Sequence, residues 1–348
     1  MTSMAYELTE EKLMGMLNSA LQKAGAEGKP PKIGIYGGTE ENQRRLFETV
    51  FVESFQDNCV FLQSEADLTV IKLDVLWTFE DIVSPNAPCF FINELAMNEV
   101  LTLIHWTFDN LSGSLRKSFV KHQKLDIDLK EKYANTIITQ HCAASFGIGF
   151  IPIPFADAPA LVLNEITLMG RILDVYGLAD VQMVLKTIGV STLIGNLLTM
   201  LGKGLVGRLL KFIPVVGSVV GGIINGTTAT TVTLAFGKSV SKVVKQLCKS
   251  AIEKNLSEFE YVAKNFSSAV VGTAVACVES GMTTAEDYEK SFDNTELTIA
   301  DFEKHIQRGN ELFQKFLDKN AELDNEFDEH VQEGEKKSGN MWDAINKL

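Results

Sequence analysis

The residues best placed to do chemistry are Gly37-Gly38-Thr39-Glu40-Glu41-Asn42-Gln43-Arg44. They follow the short apolar run Lys32-Ile33-Gly34-Ile35-Tyr36 and lead into a helical pattern over Arg45 to Phe55. A glycine turn between a strand and a helix is the setting in which G-x-x-x-x-G-K-[ST] wraps a nucleoside triphosphate. That chemistry needs a second glycine for close backbone approach, a lysine for the outer phosphates and a hydroxyl for Mg²⁺. Asn42, Gln43 and Arg44 stand at those three positions. Gln43 brings no charge, and Arg44 sets a cation where the metal would sit. Glu40 and Glu41 would each oppose a phosphate by about 1–4 kcal/mol per close pair.

The pattern therefore predicts a structural turn with no catalytic residue, no metal and no cofactor, GTP binding being disfavoured. Any nucleotide that did bind would use Gly37, Gly38, Thr39, Asn42, Gln43, Arg44 and Asp74. Asp74 closes Ile71-Lys72-Leu73-Asp74, a guanine-reading N/T-K-x-D motif without its first residue. Five histidines and five cysteines are scattered without metal or redox spacing, and His141-Cys142 reads as a pair of packing residues. Asp157 reads as a cap or first-turn acid of the helix that follows it.

The elements that must position this turn can be read from periodicity. Residues 9–24 place Leu13, Leu17, Leu21 and Ala24 on one helical face. Strand-like runs follow at Cys59–Gln63, Leu68–Leu73 and Cys89–Ile92, and Met97, Leu101, Ile104, Phe108 and Leu111 recur at helical spacing. From Leu115 onward the pattern is almost wholly helical. Within Ala158–Tyr176, Asn164, Thr167, Arg171 and Asp174 form a narrow polar stripe on an otherwise apolar helix. The expected fold is mainly α, with a small degenerate α/β lobe, then a helical domain, then a long acidic amphipathic helical tail. The expected boundaries are 1–28 for the N-terminal helix, 31–113 for the α/β lobe, 114–250 for the helical domain and 251–348 for the tail.

Charge is unevenly spread along the 348 residues, whose formal total is −13. Ala158 to Ser250 carries nine basic residues and three acids, whereas Glu279 to Leu348 carries eighteen acids and eight bases. The acidic total argues against nucleic acid as a partner. The N-terminal residues, with Glu7, Glu10 and Glu11, do not read as a signal peptide, and the unpaired cysteines suit a reducing cytoplasm.

Between Lys211 and Lys238 lie 26 residues without a charge, where about 20 apolar residues suffice to span a bilayer. Only half are strongly apolar, so a buried helix or hairpin and a membrane insertion both remain open. Phe212, Ile213 and Pro214 open the run, and Gly217 with Gly221, and Gly222 with Gly226, are spaced for close helix contact. Lys203, Arg208 and Lys211 precede it, and Lys238, Lys242, Lys245 and Lys249 follow it. These flanks suit anionic headgroups or an ordinary solvated face. In the tail, Phe302, Ile306, Gly309, Phe313, Phe316, Asn320, Leu323, Phe327 and His330 form a heptad-like stripe, for intramolecular docking or for self-association.

The runs Leu115 to Lys130, Gly149-Phe-Ile-Pro152-Ile-Pro154-Phe-Ala-Asp157, Tyr176-Gly177 and Ile213-Pro214-Val-Val-Gly217 resemble the YcjF-type domain of unknown function. That domain is found C-terminal to bacterial Era-like, dynamin-like and interferon-inducible-like GTPase domains. The resemblance covers about Leu115 to Val244, with Pro152, Pro154, Asp157, Tyr176 and Gly177 as its punctuation. By extension, Ile33–Arg44 resembles the first strand and nucleotide loop of a G domain, and Cys89–Leu111 its last strand and helix. The interval between them is too short for switch regions, and no D-x-x-G occurs before residue 150.

The resemblance implies a helical domain, self-association and proximity to a membrane. It leads to the expectation of a non-catalytic, GTPase-related interaction or regulatory protein, cytoplasmic or peripheral at the inner membrane. Its partners would be a protein, a second copy or an anionic membrane surface. A divergent GTPase and a membrane-inserting helical protein are the alternatives.

Overall fold

The computed structural model describes residues 10–26, 28–82, 86–148, 157–177, 226–293, 295–312 and 314–315. Pro152, Pro154, Phe212, Ile213, Pro214, Gly217, Gly221, Gly222 and the tail from Phe316 onward lie outside them, as does Phe313. The fold is mainly α with one small four-stranded parallel sheet.

Helix α1 (Glu10–Ala26) precedes strand β1 (Ile33–Tyr36) and helix α2 (Glu40–Val50). A 3₁₀ turn (Glu53–Asn58) then leads to β2 (Cys59–Leu62), the short helix α3 (Glu65–Val70), β3 (Val75–Thr78) and β4 (Cys89–Phe91). The strand order is β2-β1-β3-β4, with Ile33 opposite both Cys59 and Val75. Side chains alternate across the sheet. Ile33, Ile35, Val75 and Trp77 enter the main core, while Leu62, Leu68, Leu73 and Leu76 form a separate apolar cluster on the other face. Both faces are covered, as a parallel sheet requires.

One strand differs from the sequence expectation. Leu68–Leu73 is not extended: Ser64 and Asp67 form a capping box that starts α3, and the extended run is the next one, Val75–Thr78. Leu68 and Leu73 are apolar because they seal the second face of the sheet.

Helices α4 (Met97–Asn110) and α5 (Gly113–His122) bind the sheet to the rest of the molecule. Trp77 donates from Nε1 to Thr107 Oγ1 at 2.9 Å, and Phe51 stacks on Trp77 and meets Phe119 edge-on. The helical part comprises α6 (Ile127–Ile148), α7 (Asp157–Val175), α8 (Gly226–Ile252), α9 (Leu256–Lys264), α10 (Phe266–Glu279) and α11 (Ala285–Tyr288). A π turn (Glu289–Asp293) and a helical stretch at 299–312 close the described chain. The N-terminal α1 packs on α7 rather than on the sheet, and one continuous set of buried side chains runs from Leu13 to Ile306.

The uncharged run is in part a core helix. Most of its final residues, from Gly226 to Gly237, are buried in α8, Thr227 being exposed, and Gly237 lies against Ile138 and Leu168. Among the described helices none is long and apolar enough by itself to cross a membrane. Leu256–Lys264 and Phe266–Glu279 reach that standard only as a pair bent by 74°.

Candidate functional site

The strand order reverses between β1 and β3, and ligands of open parallel sheets settle in the crevice at the carboxyl ends of such strands. The residues at that edge are Gly37-Gly38 after β1 and Phe79-Glu80 after β3. Gly37 and Gly38 take φ of 75° and 68°, a left-handed pair that other residues adopt only at a cost of about 1–2 kcal/mol each. Thr39 caps α2, its hydroxyl oxygen accepting from Asn42 N–H at 3.1 Å, and Glu40 and Glu41 lie in the first turn where the helix dipole favours acids.

The chain's own Glu80 reaches the glycine turn at its solvent-exposed edge. Gly38 N–H donates to Glu80 Oε1 at 3.0 Å, so a carboxylate of the protein takes the backbone donor a phosphate would use. A β-carbon on Gly37 would come within 2.8 Å of Glu80 Cγ, and one on Gly38 within 3.2 Å of the Phe79 ring. Thr78 holds the Glu80 turn, donating to Glu80 O at 2.6 Å and accepting from Glu80 N–H at 3.0 Å. Glu80 lies in no motif, and only the parallel pairing of β1 with β3 brings it to the glycines.

Gln43 is buried beneath the turn. Its Nε2 donates to Gly37 O at 3.1 Å and to Leu62 O at 3.3 Å, which ties β1 to β2, while its Oε1 has no hydrogen-bond partner. Arg44 lies on the solvent face of α2 beside Glu40, 3.8 Å away. Asp74 does not join them. It sits before β3, where Oδ2 accepts from Lys32 N–H at 2.7 Å, at the other end of the sheet. A four-residue strand separates it from the glycine turn by about 13 Å. Sequence proximity to a guanine-reading motif suggested a pocket residue, and the parallel register places it on the wrong edge.

Tyr176 and Gly177 end α7. The Tyr176 hydroxyl lies 3.0 Å from Ser241 Oγ on α8, and Gly177, at φ 78°, folds back so that its N–H donates to Asp174 O. Burial raises the Tyr176 hydroxyl well above its usual range. Asp157 is the first residue of α7. Gly226 is the buried first residue of α8.

The polar stripe of α7 turns inward as a directional chain. Arg171 reaches His141, whose Nδ1 meets Asn164 Oδ1 at 2.8 Å. Asn164 Nδ2 donates to Ser145 Oγ at 2.7 Å, Ser145 lies 2.6 Å from Thr233 Oγ1, and Thr233 donates to Glu165 Oε1 at 2.5 Å. Desolvation pushes the Glu165 carboxyl up to about 8, against the lowering effect of the Thr233 bond. Its Oε2 has no partner. Thr167 stays on the exposed face, donating to Leu163 O.

The basic face of α8 also turns inward. Lys238 pairs with Asp293, Lys242 with Glu131, Lys245 with Asp128 and Glu131, and Lys249 with Glu296. A groove of about 820 Å³ runs along this seam, with the His105–Asp126 pair, 2.9 Å apart, at its side. Among the described residues no three His, Cys, Asp or Glu side chains converge as metal ligands. Burial raises the thiols of Cys59, Cys142, Cys248 and Cys277, which disfavours nucleophilic thiolate at neutral pH. No known protein family, curated protein or solved structure matches the chain.

Proposed function

We propose that this chain is a non-catalytic, GTPase-related interaction or regulatory protein. Its sheet is scaffold and its helical surfaces are the working part. The observation that carries the reading is the Glu80 carboxylate on Gly38 N–H, in the crevice that a nucleotide would have to enter. A phosphate there would displace a like charge and would find an amide at Gln43 in place of an ammonium. Exposed Phe91 and Met97, on and just after the edge strand β4, offer apolar surface of the kind a protein partner covers. Proximity to a membrane enters through the YcjF-type resemblance alone, since the four lysines of α8 already face carboxylates of the same chain.

The second reading, a divergent GTPase, is favoured by one thing: the successive left-handed glycines at the point where strand order reverses. Titration of fluorescent GTP into the full chain and into Glu80→Ala, each with and without Mg²⁺, tests the choice. No saturable binding to either protein is expected. Saturable micromolar binding by the wild-type chain, lost on changing Gly37 or Thr39, overturns the non-catalytic reading.

A further inference from the structure

A second cavity, of about 390 Å³, lies where α5, α7 and α8 end together. Its size falls within the usual range for small-molecule sites, about 300–1,000 Å³. The walls are apolar: Val52, Ile127, Leu247, Ala251, Leu256 and Phe259 supply most of them. At the mouth Ile252 is 46% exposed and Leu256 72% exposed, so apolar surface continues from the interior to solvent. Among the described lining residues the only charged side chains are Lys121, Lys124 and Lys130.

The charge balance at this end of the bundle decides what kind of head group it would accept. The C-terminal end of each helix contributes about half a negative charge. Asp174 adds a full one, paired with Lys121 at 2.9 Å and with Lys117 at 3.6 Å. The lining itself carries three ammonium groups, those of Lys121, Lys124 and Lys130, and no carboxylate, while Asp174 and Asp126 lie behind it, close enough to act on Lys130. Glu258, two residues from Leu256, accepts from the neutral amides of Gln246 and Asn255 and keeps its charge, but it does not line the cavity.

Lys130 spends its donors inside, on Val120 O, Lys121 O and Val175 O, and so contributes field rather than contact. Lys124 is at the exposed rim, its amine on Glu48 O. In the larger groove along α8, Lys242, Lys245 and Lys249 already meet carboxylates that line the same groove.

We infer that the cavity at the ends of α5, α7 and α8 binds a single-chain aliphatic carboxylate, its alkyl chain inside and its head at the lysine rim. At roughly the 30 Å³ that one water-sized group occupies in a liquid, the cavity holds about a dozen methylenes. This inference stands apart from the nucleotide question.

Calorimetric titration of the full chain with dodecanoate, dodecanol and dodecylammonium, each below its aggregation threshold, tests it. One saturable site for dodecanoate is expected, with dodecylammonium about tenfold weaker or worse. Ala251→Trp, at an exposed helical position, should plug the mouth and weaken dodecanoate about tenfold. Lys124→Glu should weaken dodecanoate about fivefold while leaving dodecanol nearly unchanged. Unchanged circular dichroism and melting confirm that both variants fold. The inference is overturned by absence of saturable binding, by equal affinity for carboxylate and ammonium, or by wild-type affinity in Ala251→Trp. Flotation with anionic vesicles in the absence of any dodecanoate site overturns it as well.

Discussion

Gly272 of α10 lies directly against the carbonyl oxygen of His305, and in the same crossing Gly309 lies against the carbonyl of Ser268. A β-carbon at either position would overlap backbone, so the helix at 299–312 touches α10 main chain to main chain. Ser268 Oγ donates to Asn310 Oδ1 at 2.5 Å, and Thr273 Oγ1 meets His305 Nδ1 at 3.0 Å, which fixes the crossing. Gly272→Ala or Gly309→Ala should therefore cost about 1–3 kcal/mol or more, the range for overpacking. Gly15→Ala in α1 meets nothing within 4 Å and should stabilise by about 0.5–1 kcal/mol. Urea melts of the three variants, with limited proteolysis over 299–315, check the contrast. Equal stability of all three would remove the crossing as a determinant of tail docking.

The Glu165 carboxyl predicts a pH dependence with a definite sign. Desolvation raises it from 4.5 to about 8 in the fold, while the unfolded chain ionises in the ordinary range. The folded state thus holds a proton that the unfolded state has lost. Its contribution is fully present below about pH 4.5 and disappears as pH rises through about 8. Glu165→Gln keeps an acceptor for Thr233 and removes the titration, so its stability should vary less than wild type between pH 5 and pH 8. Denaturant melts at pH 5, 7 and 9 measure this, and parallel profiles for the two proteins would contradict it.

The acid–base seam of α8 predicts graded costs. The Lys238 side chain is 7% exposed and that of Asp293 is 18% exposed, whereas the Lys249–Glu296 pair is largely in solvent. Lys238→Ala leaves a carboxylate without its nearest cation in a half-dry site and should cost about 3–5 kcal/mol. Lys249→Ala should cost less than about 1 kcal/mol and respond to salt. A double-mutant cycle on Lys238 and Asp293 should show coupling, and additivity there would mean the pair does not interact.

How much of this was legible in the sequence depends on whether the signal was local. The strand, glycine turn and helix at 33–50 were, because Ile33-Gly-Ile-Tyr36 and Thr39 act within a few residues. The charge asymmetry between Ala158–Ser250 and Glu279–Leu348 was legible as a count, and the partners were not. The opposed blocks meet one another at Lys238–Asp293 and Lys249–Glu296, where the sequence leaves anionic headgroups and an ordinary solvated face both open for the lysines. Val75–Thr78 was missed because the more apolar Leu68–Leu73 beside it covers the sheet instead of joining it. Glu80 and Gly272 carried no signal at all, since each matters only through a residue more than thirty positions away. Gly309 was visible only as a weak point in an apolar stripe, and the crossing shows that the weak point is the contact.

The last prediction concerns Gln43, which stands where a phosphate-binding loop carries its lysine. Its amide holds Gly37 O and Leu62 O together from within the protein, so Gln43→Leu strips donors from two carbonyls and should cost about 1–3 kcal/mol. Gln43→Lys restores the ammonium of the motif, yet the nearest anion would be Glu80, already seated on Gly38 N–H. The lysine should pair with that carboxylate, and GTP binding should stay undetectable with Mg²⁺ present. Thermal melts and nucleotide titration of both variants provide the check. If Gln43→Lys alone gained micromolar GTP binding, the turn would be a nucleotide cradle lacking one charge, and Glu80 would be no obstacle to it.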